Sequence, residues 1–182
     1  MLGTPEDSLS KRLHARCDES LNASTDIDAV IRFNRIEMER AVAVYQEKCV
    51  TLTSLVPIVC DSTGSRYPDP VRFAALASLA EMLAGNGDTT SLQLVEELIK
   101  IKPNVLKHLD EVAFRHSGKE QVLTSVFRIL SVMAENCFKL LLASGGDNDR
   151  HVKNLLKRFM MCDFNDVATK AKSLVDKLKA QM

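Results

Sequence analysis

The sequence predicts an all-α protein built from stacked helical units, and three observations support this fold class. Helix-start and helix-stop signals recur along the 182 residues, and no alternating strand pattern competes with them, except weakly near Val50. Aromatic residues make up 5% of the chain and Trp is missing, so the core is aliphatic and suits helix-on-helix packing. The third observation is an apolar pattern that occurs three times.

This pattern begins at Val71, Val122 and Val167, which lie 51 and 45 residues apart. Each starting residue is followed after four residues by Ala or Val, and after eight and eleven residues by larger apolar side chains. A period of this size is typical of stacked helical repeats, in which each unit buries its apolar face against its neighbours.

The start of the chain predicts an arm followed by one domain. Thr4-Pro5-Glu6-Asp7 is a helix-start signal, but the helix after it has only a thin apolar stripe. We therefore expect residues 1–24 to form an arm or a weakly docked helix, and residues 25–182 to form a single helical domain. Thr25-Asp26-Ile27-Asp28 opens the first helix of this domain, which runs to about Lys48.

The next segment combines helix and loop signals. Val50 to Cys60 is expected to be a separate or kinked helix, because β-branched residues cluster there and Pro57 lacks a backbone donor. A loop is predicted from Asp61 to Pro68. Asp69 is expected to cap the first repeated helix, and Gly85-Asn86-Gly87-Asp88 is expected to end it, because glycine adopts the left-handed conformation without steric cost.

The rest of the chain predicts five more helices. Two capping boxes are expected to open helices. A short helix that ends near Ile101 begins at Thr90-Ser91-Leu92-Gln93, and a strongly apolar helix over about 119–143 begins at Ser117-Gly118-Lys119-Glu120. Pro103 starts a helix between them. The last two are predicted at about 149–161 and 163–179.

This order of a short helix, a proline, a second helix, a loop and a long apolar helix resembles an armadillo repeat. The spacing of Asp69, Val71, Arg72, Ala75 and Leu79 resembles the second helix of a HEAT repeat. The resemblance covers about residues 50–180 and implies a short right-handed solenoid. The Val-Arg step occurs in only one unit and the loops are uneven, so a non-repeat helical bundle is the alternative.

The resemblance also implies a protein-interaction scaffold, in which the last helix of each unit lines a groove for a partner peptide or domain. The expected groove residues form a polar stripe on the long apolar helix: Thr124, Arg128, Ser131, Glu135 and Lys139. The alternative interpretation is a solvated edge with an ordinary i,i+4 ion pair between Glu135 and Lys139.

The charges predict a second candidate surface. The net charge is zero, but residues 1–91 carry 9 basic against 13 acidic residues and residues 92–182 carry 15 against 11. The basic residues near the end could contact phosphates of nucleic acid or phospholipid, although neighbouring acids dilute them and aromatics for base stacking are scarce. These residues are Arg150, Lys153, Lys157, Arg158, Lys170, Lys172, Lys177 and Lys179.

No chemistry-bearing motif emerges from the sequence. The glycine turns at 85–88 and 145–147 lack the features of phosphate loops. His14 and Cys17 could supply two metal ligands, but no partner pair is evident, and His108 and His116 have no matched nucleophile. We therefore predict no catalytic residues, metal or cofactor.

The five scattered cysteines, with no two-residue spacing, predict reduced thiols in a cytoplasmic protein. No apolar run is long enough to span a bilayer, and the first residues do not resemble a secretory signal. The leading hypothesis is a non-enzymatic adaptor or regulatory subunit that binds another protein or peptide. Binding of nucleic acid or phospholipid is the second hypothesis and an all-helical enzyme the third.

Overall fold

A computed structural model describes the backbone of residues 26–85, 88–143 and 147–181. These ranges contain seven helices and no strands, which confirms the all-α class. The helices are α1 (Asp26–Val59), α2 (Asp69–Ala84), α3 (Asp88–Ile101), α4 (Val105–Arg115), α5 (Glu120–Ala143), α6 (Asn148–Met160) and α7 (Asn165–Gln181).

The chain divides into two compact units, Met1–Glu47 and Lys48–Met182. The predicted arm, residues 1–24, lies outside the described residues, so the expected domain division stays a prediction. In the first unit, the described part of α1 exposes most of its large apolar side chains, among them Ile27, Ile31, Met38 and Val42.

The separate helix predicted from Val50 to Cys60 is wrong, because α1 is a single helix from Asp26 to Val59, and the kink given as its alternative stays a prediction. Pro57 lies in its last turn, where it removes one backbone donor without ending the helix earlier. Within the second unit, this end of α1 buries Leu52, Val56 and Val59. The apolar spacing thus outweighs both the β-branched residues and the proline.

The core of the second unit is organised around α5. This helix packs against α2, α3, α4, α6 and α7, with its most extensive contact to α2. Its buried side chains point in several directions, and Val122, Leu123, Val126, Ile129, Leu130 and Met133 each expose 1% or less of their surface. The strongly apolar sequence of this helix is explained by these five neighbours.

The three repeated helices differ in how far the pattern predicts burial. In α5 all four pattern positions are buried, and in α7 three are buried while Val175 is half-buried. In α2 the starting residue Val71 is exposed and Met82 is half-buried, while Ala75 and Leu79 are buried together with Arg72 and Leu76. The pattern is therefore shared in spacing, but on α2 only its two middle positions face the core.

Arg72 is buried because it holds the loop before α2. Its guanidinium donates to the carbonyl oxygens of Asp61, at 3.0 Å, and Ser62, at 3.3 Å, and to the carboxylate of Asp69. Gly64 adopts a φ of +70° beside this guanidinium, and a Cβ there would lie 2.9 Å from Nη2 of Arg72. Glycine is thus required at this turn both for its backbone conformation and for the space it leaves.

Several predicted helix ends differ in detail from the structure. Pro68 precedes the first residue of α2, so Asp69 pairs with Arg72 rather than capping the helix. Gly85 ends α2 with a φ of −84°, not in the left-handed conformation. Ser91 lies inside α3, where its hydroxyl donates to the carbonyl oxygen of Leu83 at 2.9 Å and so ties α3 to α2.

The capping box at Ser117 also differs, because α5 begins at Glu120 and the carbonyl oxygen of Lys119 accepts its first hydrogen bonds. Ser117 remains exposed in the turn between α4 and α5. This leaves its hydroxyl available beside the cavity described next.

Candidate interaction surface

A cavity of about 520 Å³ is lined by residues of α5, of α6, of the turn between α4 and α5, and of the turn between α6 and α7. We call it the basic cleft. Most of its polar lining comes from α6 and from the two flanking turns, whereas Leu123 of α5 is buried at its base. The full lining comprises Ser117, Leu123, Asn154, Lys157, Arg158, Met161, Cys162 and Asp163.

A buried acid lies next to the cleft and fixes two of its side chains. Asp110 of α4 is 8% exposed and accepts hydrogen bonds from α6 on both carboxylate oxygens. Its Oδ2 lies 2.8 Å from Nδ1 of His151 and 3.3 Å from Nδ2 of Asn154, while its Oδ1 lies 3.5 Å from a terminal nitrogen of Arg158. These contacts join α4 to α6 and orient Asn154 and Arg158.

Arg158 is held in place but keeps donor capacity. Its guanidinium carbon lies 5.1 Å from the ring centroid of Phe114, close enough for a cation–π contact. Its contact to Asp110 is long, and its Nε is buried with no hydrogen-bond partner. The buried Nε is a cost to the folded chain, whereas the long contact to Asp110 and the one-quarter exposure of the side chain leave the terminal nitrogens able to meet a further acceptor.

Two large apolar side chains flank the cleft on the outside. Met161, in the lining, is 73% exposed, and Phe114, beneath the Arg158 guanidinium, is 67% exposed. Exposed apolar residues beside a concave polar site are typical of surfaces that bind other proteins. The cleft therefore combines hydrogen-bond donors, two cations and two apolar contact points.

The predicted groove stripe on α5 is only partly accessible. Arg128 and Glu135 are exposed, while Thr124 and Ser131 are half-buried. The carboxylate of Glu135 lies 3.9 Å from Nζ of Lys177 on α7. Glu135 therefore has an ion-pair partner on another helix besides the expected i,i+4 partner, Lys139. The side chain of Lys139 lies outside the described residues, and the role of the stripe stays a prediction.

The eight predicted basic residues do not form one uniform patch. Five of them lie within 4.0 Å of a carboxylate. These pairs are Arg150–Asp147, Lys153–Asp149, Arg158–Asp110, Lys170–Asp166 and Lys177–Glu135. Lys157 and Arg158 are the two that line the basic cleft.

A second cavity, of about 400 Å³, lies at the end of α1 and is lined by Val56, Pro57, Cys60, Asp61, Arg66, Ile101 and Lys102. Burial raises the pKa of the Cys60 thiol to about 11, an effect that nearby Lys102 only partly offsets. A thiol with this pKa is protonated at neutral pH and is a poor nucleophile. This cavity therefore offers little for covalent chemistry.

His108 and His116 lie away from the linings of these two cavities. Burial is the main cause that lowers the pKa of both imidazoles, and nearby cations lower it further. The nearby carboxylates, Glu111 for His108 and Asp69 for His116, oppose this shift. His116 also packs edge-to-face on Phe73, with the ring centroids 4.8 Å apart.

Among the described residues, no group of three or more His, Cys, Asp and Glu side chains is arranged to hold a metal ion. His14 and Cys17, the pair considered from sequence, lie outside them. None of the helices in the described ranges combines the length and apolarity that a membrane span requires.

Comparisons with known proteins leave the family open: no family model, curated protein or solved structure matches this chain. The arrangement of the cleft is thus the main guide to function.

Sequence reasoning found Lys157 and Arg158 but assigned them to a wider patch and missed the cleft. One signal was available, since Asp110 lies on the apolar face of α4 between Leu109 and Val112, where an acid needs a partner. Its partner His151 lies 41 residues away on another helix. Only the packing of α4 against α6 brings the two together.

Proposed function

We propose that this protein is a non-enzymatic interaction module, an adaptor or regulatory subunit that binds a segment of another protein at the basic cleft. The observation that carries the proposal is the position of exposed Phe114 and Met161 beside a cavity with oriented polar side chains. Apolar anchors surrounded by hydrogen-bonding groups supply most of the affinity in protein interfaces.

The proposal includes the arrangement of the helices within the all-α class. A short armadillo- or HEAT-like solenoid is supported by the way the repeated helices pack in series, α2 against α5 and α5 against α7. The alternative non-repeat bundle is favoured by the number of neighbours around α5. The predicted cytoplasmic location likewise rests on the scattered cysteines, of which Cys49, Cys60 and Cys162 are free thiols.

Site-specific cross-linking tests the proposal. A photoreactive phenylalanine analogue is placed at Met161 in the full chain, and at exposed Thr169 of α7 as the matched control. We expect a protein to be cross-linked from position 161 and not from position 169. That protein, produced in recombinant form, should then bind the purified chain. Phe114→Ser and Met161→Ser should each weaken that binding without changing the melting temperature.

Equal cross-linking from both positions, or binding unaffected by both serine variants, would contradict the proposal. The predicted α5 stripe provides a competing location. If charge reversal at Arg128 and Glu135 abolishes binding while the two serine variants do not, the partner surface lies on α5 instead.

The second candidate, binding of nucleic acid or phospholipid through the eight basic residues, stays a prediction. Phosphate contacts weaken steeply as salt concentration rises, so a salt titration with duplex DNA and with anionic vesicles tests it. Binding that is undetectable at low salt would exclude it. The pairing of five of these cations with carboxylates weakens the case for it.

A further inference from the structure

We infer that the basic cleft selects a partner segment that carries a carboxylate next to a large apolar residue. This inference rests on the proposed function and adds the chemistry of the ligand. Lys157 and Arg158 would hold the carboxylate, and Phe114 and Met161 would contact the apolar neighbour.

The donors of the cleft favour an anion. The Arg158 side chain is one-quarter exposed, and its long contact to Asp110 leaves that guanidinium incompletely paired. Lys157 is exposed on the same helix, one residue before it, and Ser117 and Asn154 add neutral hydrogen-bonding groups to the lining. An arginine with an oriented guanidinium is well suited to bind a carboxylate through two hydrogen bonds.

The balance of charge favours a single negative charge over a doubly charged phosphate. The lining holds two cations and one carboxylate, Asp163, and so has a net charge of +1. Asp110 lies behind Arg158 and adds negative charge, while His151 and Asn154 already occupy its Oδ2. A phosphate dianion would therefore meet two acids with too little positive charge to offset them.

The arrangement also favours a peptide over a small anion. Arg158 lies over the ring of Phe114 and shares the cleft lining with Met161, and both apolar side chains are mostly exposed. A free carboxylate-bearing metabolite would leave both apolar side chains in water, whereas a peptide residue beside the acid covers them. The side chain of Glu or Asp and a chain's terminal carboxylate share this chemistry.

The test is selection from a random library of 12-residue peptides displayed on phage, with the full chain as bait. We expect the enriched peptides to carry Asp or Glu within a few residues of a large apolar residue. In the corresponding synthetic peptide, Glu→Gln (or Asp→Asn) should weaken binding about tenfold, the effect of losing one charge-assisted contact. Lys157→Gln in the protein should weaken binding of the acidic peptide similarly and leave the amide peptide unaffected.

If Lys157→Gln lowers the affinity for the acidic peptide but not for the amide peptide, the two substitutions are coupled, as a direct contact between Lys157 and the carboxylate requires. Lys172→Gln is the matched control, because Lys172 is exposed on α7, lies outside the cleft lining and changes the net charge equally. It should leave binding within about twofold. Amidation of the peptide terminus distinguishes the two carboxylate sources, since it removes the terminal charge only.

The outcomes separate this inference from the proposed function. Peptides that need Phe114 and Met161 but contain no acid, or that bind equally after Lys157→Gln, overturn the carboxylate inference and leave the interaction surface standing. Selection of phosphopeptides over their carboxylate counterparts in a matched synthetic set also overturns it. Failure to enrich any peptide that depends on Phe114 or Met161 overturns both.

Discussion

The first half of α1 and the described part of α5, up to Asn136, show that helical apolar spacing can have opposite surroundings. Between Asp26 and Glu47, α1 exposes Ile27 by 79%, Ile31 by 58% and Met38 by 69%. In α5, Val126, Leu130 and Met133 are fully buried. Both stretches have helical apolar spacing, but α5 has five helices packed against it.

The difference teaches that periodicity predicts the face a helix presents, whereas burial depends on what lies opposite that face. Burial contributes about 25 cal/mol for each Å² of apolar surface removed from water. A substitution should therefore be costly in α5 and nearly silent at the exposed positions of α1. Four predictions test or extend this contrast, from the largest expected effect to the smallest.

The first prediction compares truncation of one apolar side chain in each region. Leu130→Ala in α5 should lower the free energy of unfolding by about 3 kcal/mol, because it leaves a cavity at a site that cannot collapse fully. Met38→Ala in α1 should change it by less than about 0.5 kcal/mol. Urea denaturation followed by circular dichroism measures both. Similar losses for the two variants would mean that the exposed face of α1 is covered in solution.

The second prediction extends the contrast to charge. Asp110→Ala should cost about 2 kcal/mol, because it leaves the buried His151 and Arg158 without their acceptor. Glu39→Ala in α1 removes an exposed partner of Arg35 and should cost about 0.3 kcal/mol. Denaturation midpoints at one pH compare them. Equal costs would show that the cluster at Asp110 contributes no more than a surface ion pair.

The third prediction concerns the loop held by Arg72 within the packed region. Gly64→Ala should destabilise the protein by about 1–2 kcal/mol, since alanine resists the positive φ and its Cβ would meet the Arg72 guanidinium. Gly118→Ala is the control, because nothing lies within 4 Å of a Cβ there and its φ is not positive. Thermal melting of the two variants decides the matter. An unchanged Gly64→Ala protein would contradict the close approach of this guanidinium.

The fourth prediction uses the pH dependence of stability, and its effect vanishes at neutral pH. The pKa of Cys60 rises on folding from 9.0 to about 11, so the unfolded state loses this proton first as pH increases. Stability from this thiol is therefore fully present below pH 9 and falls as pH rises toward 11. Urea titrations across this range should show a steeper decline for the native sequence than for Cys60→Ala. Parallel declines would place the thiol in contact with water.

The sequence by itself determined the helical class and the order of the helices. The helices predicted at about 149–161 and 163–179 are α6 and α7, shifted by one or two residues. Local signals suffice here because a helix closes its hydrogen bonds within its own segment. The fully buried α5 positions also followed from sequence, since a helix apolar on nearly all sides has to lie inside.

Only the tertiary structure decided the helix ends and the site. The contacts of Arg72 with the carbonyl oxygens of Asp61 and Ser62 and the contact of Ser91 with Leu83 depend on which groups are nearby in space. The basic cleft depends on the same kind of fact. Asp110 and Arg158 are 48 residues apart, and the packing of α4 against α6 aligns them beside Phe114. No local pattern encodes a distance between two helices, because that distance follows from how their side chains pack.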